Sequence, residues 1–296
     1  MSSTQTSRGV AASVVASALF AVLFLLPAYV PDLSANEIFA WRAVVALPLL
    51  SMLFVFTGWA QIRAVSARIR RRPWLGLILL VQAALLAVQM WMFGWAPQTG
   101  HGLDLALGYL LLPLVLVVIG VLLHREKLSP LRIAAVTAAA AGVIAAFVFA
   151  GGAGSIATVL VAVGYPLYFT LRRRFALDGL GSVWHELAIL FVAGVGWMFV
   201  SPPDAVRVGP PELWVALLMG VVSATALVLY LVANRMLSFA LFGLLSYLEP
   251  VLLVVVSVLL LGEALKVTDV AVYGPIALAL VLLAVDSFVP RQGLEP

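Results

Sequence analysis

Ten apolar runs follow one another along almost the entire chain, near residues 9–30, 35–57, 74–96, 104–123, 131–150, 153–171, 183–201, 211–233, 239–261 and 268–288. The hydrocarbon core of a bilayer forces the backbone to satisfy its own hydrogen bonds, so runs of about 20 apolar residues cross it as helices. Only 10% of the 296 residues are charged, whereas soluble domains carry roughly 25%. We therefore predict an all-α polytopic membrane protein with ten transmembrane helices.

The basic residues are distributed unevenly over the two sides that ten spans define. With a cytoplasmic N terminus, fourteen of the 17 Lys and Arg residues fall on the inner side, two (Arg207 and Lys266) on the outer side, and Arg42 within a span. Such a bias is typical of cytoplasmic loops. It predicts a multi-pass membrane protein with both termini in the cytoplasm. The net charge of +4 follows from the same bias, so we expect no nucleic-acid partner.

The segment at 113–128 recurs at 250–265 with nearly the same residues. The opening prolines are 137 residues apart (250 − 113), and so are Glu126 and Glu263 (263 − 126). The second copy lies five spans after the first, and because five is odd the two copies cross the bilayer in opposite directions. We predict two inverted-topology repeats of five helices, residues 1–150 and 151–296, an arrangement that places a substrate site where the repeats meet.

Several segments also resemble the RarD branch of the EamA family, within the drug/metabolite transporter superfamily: EIFAWR (37–42), LGYLLLP (107–113), REKLSPLRIAAVTAAAAGV (125–143), YPLYFTLRRR (165–174) and YLEPVLLVVVSVLLLGE (247–263). The resemblance implies a ten-helix carrier of the inner membrane. The chain departs from the family pattern at Trp95–Gln98 and at Tyr247–Pro250, and both sites are positions where a ligand can be in contact.

Two charged residues are predicted inside the membrane, where a charge costs roughly 2.5–3.5 kcal/mol on insertion scales and usually faces a cavity or a partner. Arg42 lies about two turns into the second span, and we expect it to face the central cavity, with Glu249 as a candidate partner. Glu249 directly precedes Pro250 near the middle of the ninth span, where proline removes a helix hydrogen bond. A carboxyl group that exchanges a proton suits a coupling role, whereas a nearby Arg42 would keep it ionised. A functional role and a structural ion pair are both open at this point.

Four tyrosines complete the predicted substrate-binding or coupling set: Tyr109, Tyr165, Tyr168 and Tyr247. Tyr165 and Tyr168 are three residues apart and share a helix face, and the other two come shortly before a proline. An aromatic ring with a polar tip suits an amphipathic ligand, although tyrosine is also common at membrane interfaces.

Five other polar residues are secondary candidates: Glu37, Gln89, Gln98, His185 and Glu186. Glu37 is more typical of an acid at a helix start, and Gln89 of an interhelical hydrogen bond. His185 and Glu186 lie near the inner end of the seventh span, where proton exchange with the cytoplasm is possible, but a paired helix end is the favoured interpretation. The three histidines lack zinc-site spacing and the chain has no cysteine, so we expect no metal and no cofactor.

These patterns predict a secondary transporter, not an enzyme, that exports a small amphipathic metabolite or drug by alternating access. Its expected partners are the small-molecule substrate, the lipid bilayer and, if Glu249 acts in coupling, protons. Two alternatives are a flippase for a lipid-linked substrate and a membrane-embedded enzyme that acts on a lipid. The enzyme would need a convergent set of acid, base or metal-binding residues, and the sequence shows only scattered acids.

Overall fold

The computed structural model of the protein describes residues 3–30, 32–99, 102–124, 128–149, 156–200, 209–260 and 267–288. These residues form the helices α1 (Ser3–Leu25), α2 (Ala35–Thr57), α3 (Ala60–Arg71), α4 (Trp74–Gln98), α5 (Gly102–His124), α6 (Pro130–Phe149), α7 (Ile156–Arg174), α8 (Leu180–Val200), α9 (Pro210–Met236), α10 (Phe239–Leu245), α11 (Leu248–Leu259) and α12 (Val267–Phe288). A short 3-10 helix, Leu26–Tyr29, follows α1. No strand occurs within these ranges, which agrees with the predicted all-α class.

Five of the helices are long and apolar enough to cross a membrane: Gln5–Leu25, Ala35–Phe56, Trp74–Trp95, Leu180–Val200 and Leu213–Met236. Four shorter apolar helices accompany them: Gly108–Leu122, Pro130–Ala145, Leu241–Leu253 and Val270–Ala279. The protein is therefore a polytopic helical membrane protein. The total of ten spans and the inverted repeat stay predictions, and the repeat's Glu126 and Glu263 lie outside the described residues.

The predicted ninth span, 239–261, contains a break at residues 246–247. The helix stops at Leu245 and resumes as α11 at Leu248, and two short-range backbone bonds mark the break, from Tyr247 N to Leu244 O (3.2 Å) and from Glu249 N to Ser246 O (3.3 Å). Pro250 has no N–H to continue the helical ladder. The Ser246 hydroxyl also donates to the Phe242 carbonyl at 2.9 Å. The break places Glu249 in the first turn of α11.

The segment predicted as the loop between the second and third spans instead contains α3. Ile62 and Val65, three residues apart, are buried and lie on the face that packs against α8. Arginines occupy the last turn of α3, where their positive charges interact favourably with the negative end of the helix dipole.

The helix packing follows a regular pattern. α1 packs along α9 and α4 along α7, while α2 packs on α8 and α6 on α12. The contact between α6 and α12 is close, because a Cβ added at Gly142 would lie 2.6 Å from the Val272 carbonyl oxygen. At the start of α6, Arg132 Nε donates to Asp286 Oδ2 of α12 at 2.9 Å, a buried ion pair. The largest core cluster fills the space between α1, α2, α4, α5 and α7–α10.

Candidate functional site

The centre of this core holds a closed circuit of aromatic rings contributed by five helices. Ring centroids are separated by 6.4 Å between Phe20 and Phe93, 6.0 Å between Phe93 and Tyr109, and 6.2 Å between Tyr109 and Tyr165. Tyr230 closes the circuit, 6.4 Å from Tyr165 and 5.6 Å from Phe20. We call these five residues the aromatic ring cluster. Such spacings allow favourable edge-to-face and offset contacts, and the buried cluster includes three hydroxyl groups, of which that of Tyr230 is hydrogen-bonded to Ser246 Oγ at 3.0 Å.

Arg42 reaches this cluster from α2. Its guanidinium donates from Nε to Ser223 Oγ (2.9 Å) and from Nη1 to the Met90 carbonyl (2.8 Å), and its Cζ lies 5.9 Å from the Phe93 ring centroid. The residue is only 4% exposed. Arg42 is thus a buried cation that is bound to neutral acceptors and lies over an aromatic face, where cation–π attraction adds to the hydrogen bonds.

Glu249 approaches the same cluster from the broken helix and is also 4% exposed. Its nearest ionisable neighbours in the cluster are Tyr109, Tyr165 and Tyr230. Among the described residues it forms no ion pair within 4.0 Å and no side-chain hydrogen bond. The candidate ion pair between Arg42 and Glu249 is therefore not formed, and the guanidinium instead donates to Ser223 Oγ and to the Met90 carbonyl. Tyr109 and Tyr165 lie near both Arg42 and Glu249.

Tyr168 belongs to a different group of residues. Its hydroxyl donates to Glu186 Oε2 at 2.7 Å, and Arg172 Nη1 donates to Glu186 Oε1 at 2.6 Å. Arg172 and Glu186 have side chains 1% and 0% exposed, so this is a fully buried ion pair between α7 and α8. His185 does not join it, since its ring contacts the Ser66 hydroxyl (2.9 Å) and the Gly181 carbonyl (2.7 Å).

The other predicted residues also lie outside the aromatic ring cluster. Tyr247 is 0% exposed and packs in a second core cluster with residues of α5, α6 and α12. Gln89 donates to the Leu160 carbonyl at 2.8 Å, which is an interhelical hydrogen bond. Glu37 forms a capping box with Ser34 at the start of α2: Ser34 N donates to Glu37 Oε2 at 2.8 Å, and Glu37 N donates to Ser34 Oγ at 3.3 Å. The side chain of Gln98 lies outside the described residues.

The structure thus brings together Arg42, Tyr109, Tyr165 and Glu249, and adds Ser223 and Tyr230, which we did not predict. The two added residues are seven apart on α9 and so share a helix face. The spacing of these two polar side chains in an apolar span could have identified them from the sequence. Within the described part of the chain, no group of three His, Cys, Asp or Glu residues could hold a metal ion.

Among the described residues, seven side chains have a buried polar atom without a hydrogen-bond partner: Ser13 Oγ, Ser17 Oγ, Trp41 Nε1, Gln82 Nε2 and Oε1, Gln89 Oε1, Asn234 Nδ2 and the Tyr247 hydroxyl. Ser13 and Ser17 belong to α1 and Asn234 to α9. These two helices pack together near the start of α1, where a Cβ at Gly9 would lie 2.8 Å from Leu237 Cδ2.

A solved crystal structure of another protein has the same fold, with a TM-score of 0.70 and 19% sequence identity over 94% of this chain and 98% of that one. No protein-family model matches the chain. Three curated relatives are similar along nearly their whole length. The chloramphenicol-sensitive protein RarD of Pseudomonas aeruginosa is 38% identical over 288 residues, 95% of each chain.

An uncharacterized transporter of Haemophilus influenzae is 32% identical over 94% of both chains. The protein RarD of Streptomyces exfoliatus is 30% identical over 89% of this chain and 84% of its own. Identity at this level over this length shows a common family, and the membrane helices fit the transporter names. The chain belongs to the RarD-like family of membrane transporters.

Proposed function

We propose that the protein is a secondary transporter of a bacterial inner membrane that exports a small amphipathic molecule by alternating access. The observation that carries this proposal is the aromatic ring cluster, with one buried cation and one buried carboxyl group beside it, at the centre of the helical bundle. Intramembrane charged residues that face a bundle interior are typical of transport pathways. The cluster offers stacking for an apolar or aromatic body, and Arg42 offers donors for a polar group.

The helix packing supports two exchangeable halves. In the proposed repeat, α1, α2, α4, α5 and α6 correspond in order to α7, α8, α9, α10 with α11, and α12. Exchanging the halves turns the α1–α9 contact into the α7–α4 contact, and it maps the α2–α8 and α6–α12 contacts onto themselves. Alternating access by two inverted repeats needs such paired contacts, since each half must be able to take the place of the other.

The broken helix supports the position of the substrate site. Transporters with inverted repeats commonly form their sites from discontinuous helices near the bilayer midplane. Glu249 lies at such a discontinuity, and a carboxyl group there can accept a proton as the substrate leaves. Proton-coupled export is therefore the mechanism that we propose.

The name of the Pseudomonas relative links that protein to chloramphenicol, so chloramphenicol is the first ligand to test. We expect proteoliposomes containing only this protein to exchange labelled chloramphenicol across the bilayer. Phe93→Leu removes a ring but keeps an apolar side chain. It should raise the half-saturating concentration of chloramphenicol about three- to tenfold, because aromatic contacts contribute roughly 0.5–1.5 kcal/mol. The matched control is Phe199→Leu, since Phe199 is 82% exposed on α8.

Exchange that responds equally to Phe93→Leu and Phe199→Leu would contradict the proposed site. A panel of other small amphipathic compounds, tested as competitors, distinguishes a wrong ligand from a wrong site. Competition by any of them that is weakened in Phe93→Leu supports the site. Modification of a lipid or drug without its movement would instead support a membrane enzyme.

The proposed orientation can be tested by labelling single introduced cysteines, because the native chain has none. Ala67 in α3 and Asp32 before α2 are exposed and lie at opposite ends of the span α2. We expect a membrane-impermeant thiol reagent to label Asp32→Cys in intact cells. Ala67→Cys should be labelled only after the membrane is permeabilised. Labelling with the opposite pattern would reverse the assignment of sides.

A further inference from the structure

Helix α3 lies at one end of the bundle, between two membrane spans. It connects the end of α2 to the start of α4, both of which cross the membrane. Trp59 and Trp74 flank it, and both side chains are exposed. Tryptophan is enriched at the headgroup level of membranes, so α3 runs along the membrane surface.

The two faces of α3 differ in chemistry. Ile62 and Val65 are buried against the protein. Arg63, Arg70 and Arg71 are exposed and, at about 100° per residue, lie on the side away from the apolar stripe. Residues 59–74 contain no acidic residue. The outer face of α3 is therefore positively charged along its length and has no neutralising group of its own.

Two other polar residues of α3 contact the second half of the chain, at the turn between α7 and α8 and at α8 itself. Arg68 donates from Nη1 to the Ala176 carbonyl (2.7 Å) and from Nη2 to the Phe175 carbonyl (2.8 Å). Ser66 contacts His185 of α8. The backbones are also close, since a Cβ at Gly181 would lie 2.6 Å from the Gln61 carbonyl oxygen. In the proposed repeat, α3 belongs to the first half and this turn to the second.

We propose that the basic face of α3 binds the phosphate headgroups of anionic phospholipids, and that this binding holds the α7–α8 turn against α3. Surface arginines gain electrostatic energy near anionic leaflets. Lipid bound along α3 fixes the helix on which Ser66 and Arg68 lie, and so it stabilises the contact between the two halves at this end. This regulatory role rests on the proposed alternating access, but the lipid binding does not.

The binding is tested without measuring transport, in nanodiscs that expose both membrane faces, so failure here is distinct from failure of the proposed function. Melting temperature and amide exchange at residues 175–177 are compared between phosphatidylcholine discs and discs with increasing phosphatidylglycerol. We expect the anionic lipid to raise the melting temperature and to slow exchange at the turn. Higher salt should reduce both effects, because it screens surface charges.

The variant Arg63→Gln/Arg70→Gln should need roughly thirtyfold more phosphatidylglycerol for the same stabilisation. Arg8→Gln/Arg174→Gln removes the same charge from exposed arginines outside α3 and should behave as the wild type. Lysine at positions 63 and 70 should restore the response. Arg68→Gln should keep the lipid dependence of melting but lose the slowing of exchange at the turn, because the link from α3 to the turn is cut.

Three results would overturn the proposal. The first is no change in melting temperature or exchange with anionic lipid. The second is an equal loss of response in the α3 variant and in the Arg8/Arg174 control, which would show that only net charge matters. The third is full stabilisation by inorganic phosphate in phosphatidylcholine discs, which would assign the face to a soluble anion.

Discussion

Glu249→Gln is expected to remove the dependence of transport on a pH gradient while substrate exchange at equal pH continues. The amide has nearly the same shape as the carboxyl group but cannot carry a proton. The side chain has no ion-pair partner within the described residues, so the substitution leaves no cation uncompensated, and the melting temperature should stay close to that of the wild type. Exchange and gradient-driven transport in proteoliposomes measure the two activities separately.

The matched control for this prediction is Glu37→Gln. Glu37 caps the start of α2, and glutamine also serves at this position of a capping box, so the response to a pH gradient should be unchanged. Gradient-dependent transport that persists in Glu249→Gln would exclude Glu249 as the coupling group. A large loss of stability in Glu249→Gln would instead assign it a structural role.

Among the proposed substitutions, Glu186→Gln is expected to lower the free energy of unfolding the most. Arg172 and Glu186 are almost fully buried and 2.6 Å apart, and removing one member of a buried pair leaves an uncompensated charge, at a cost of roughly 3–5 kcal/mol. The Tyr168 hydroxyl also loses its charged acceptor. Unfolding in mixed micelles, followed by loss of helical signal, measures the difference.

Arg172→Met in the Glu186→Gln background should restore part of this loss, because contacting residues commonly couple by about 0.5–3 kcal/mol. The control is Asp178→Asn. Asp178 and Arg235 form an exposed pair at 3.7 Å, and exposed pairs contribute about 0–1 kcal/mol. Equal effects of Glu186→Gln and Asp178→Asn would show that burial of the α7–α8 pair has no energetic consequence.

The membrane spans were predictable because an apolar run of helix length has few alternatives in a bilayer. Helix α3 was missed because it is 12 residues long and its few apolar residues contact protein, not lipid. The break between α10 and α11 follows from Pro250 together with Ser246. A proline alone does not predict such a break. The equivalent proline in the first copy, Pro113, lies within the continuous helix α5, and Tyr109 stands there at the position of Ser246.

The candidate site was predictable only in part for a related reason. Arg42 and Glu249 were identified because charge inside a span needs an explanation. Their partners depend on the rotation of each helix about its axis, which hydrophobicity does not fix when a span is apolar all round. Tyr168 therefore seemed equivalent to Tyr165, although its hydroxyl binds Glu186, and Tyr230 was not singled out.

The unpartnered polar side chains of Ser13, Ser17, Gln82 and Asn234 have a consequence for the energy of the conformational cycle. A buried donor or acceptor without a partner forgoes about 1–3 kcal/mol that hydration would supply. An arrangement that keeps these atoms dry would therefore be higher in free energy than one that admits water between the helices. Under the proposed alternating access, hydration of these side chains would favour the open conformation and would add to the effect of proton binding at Glu249.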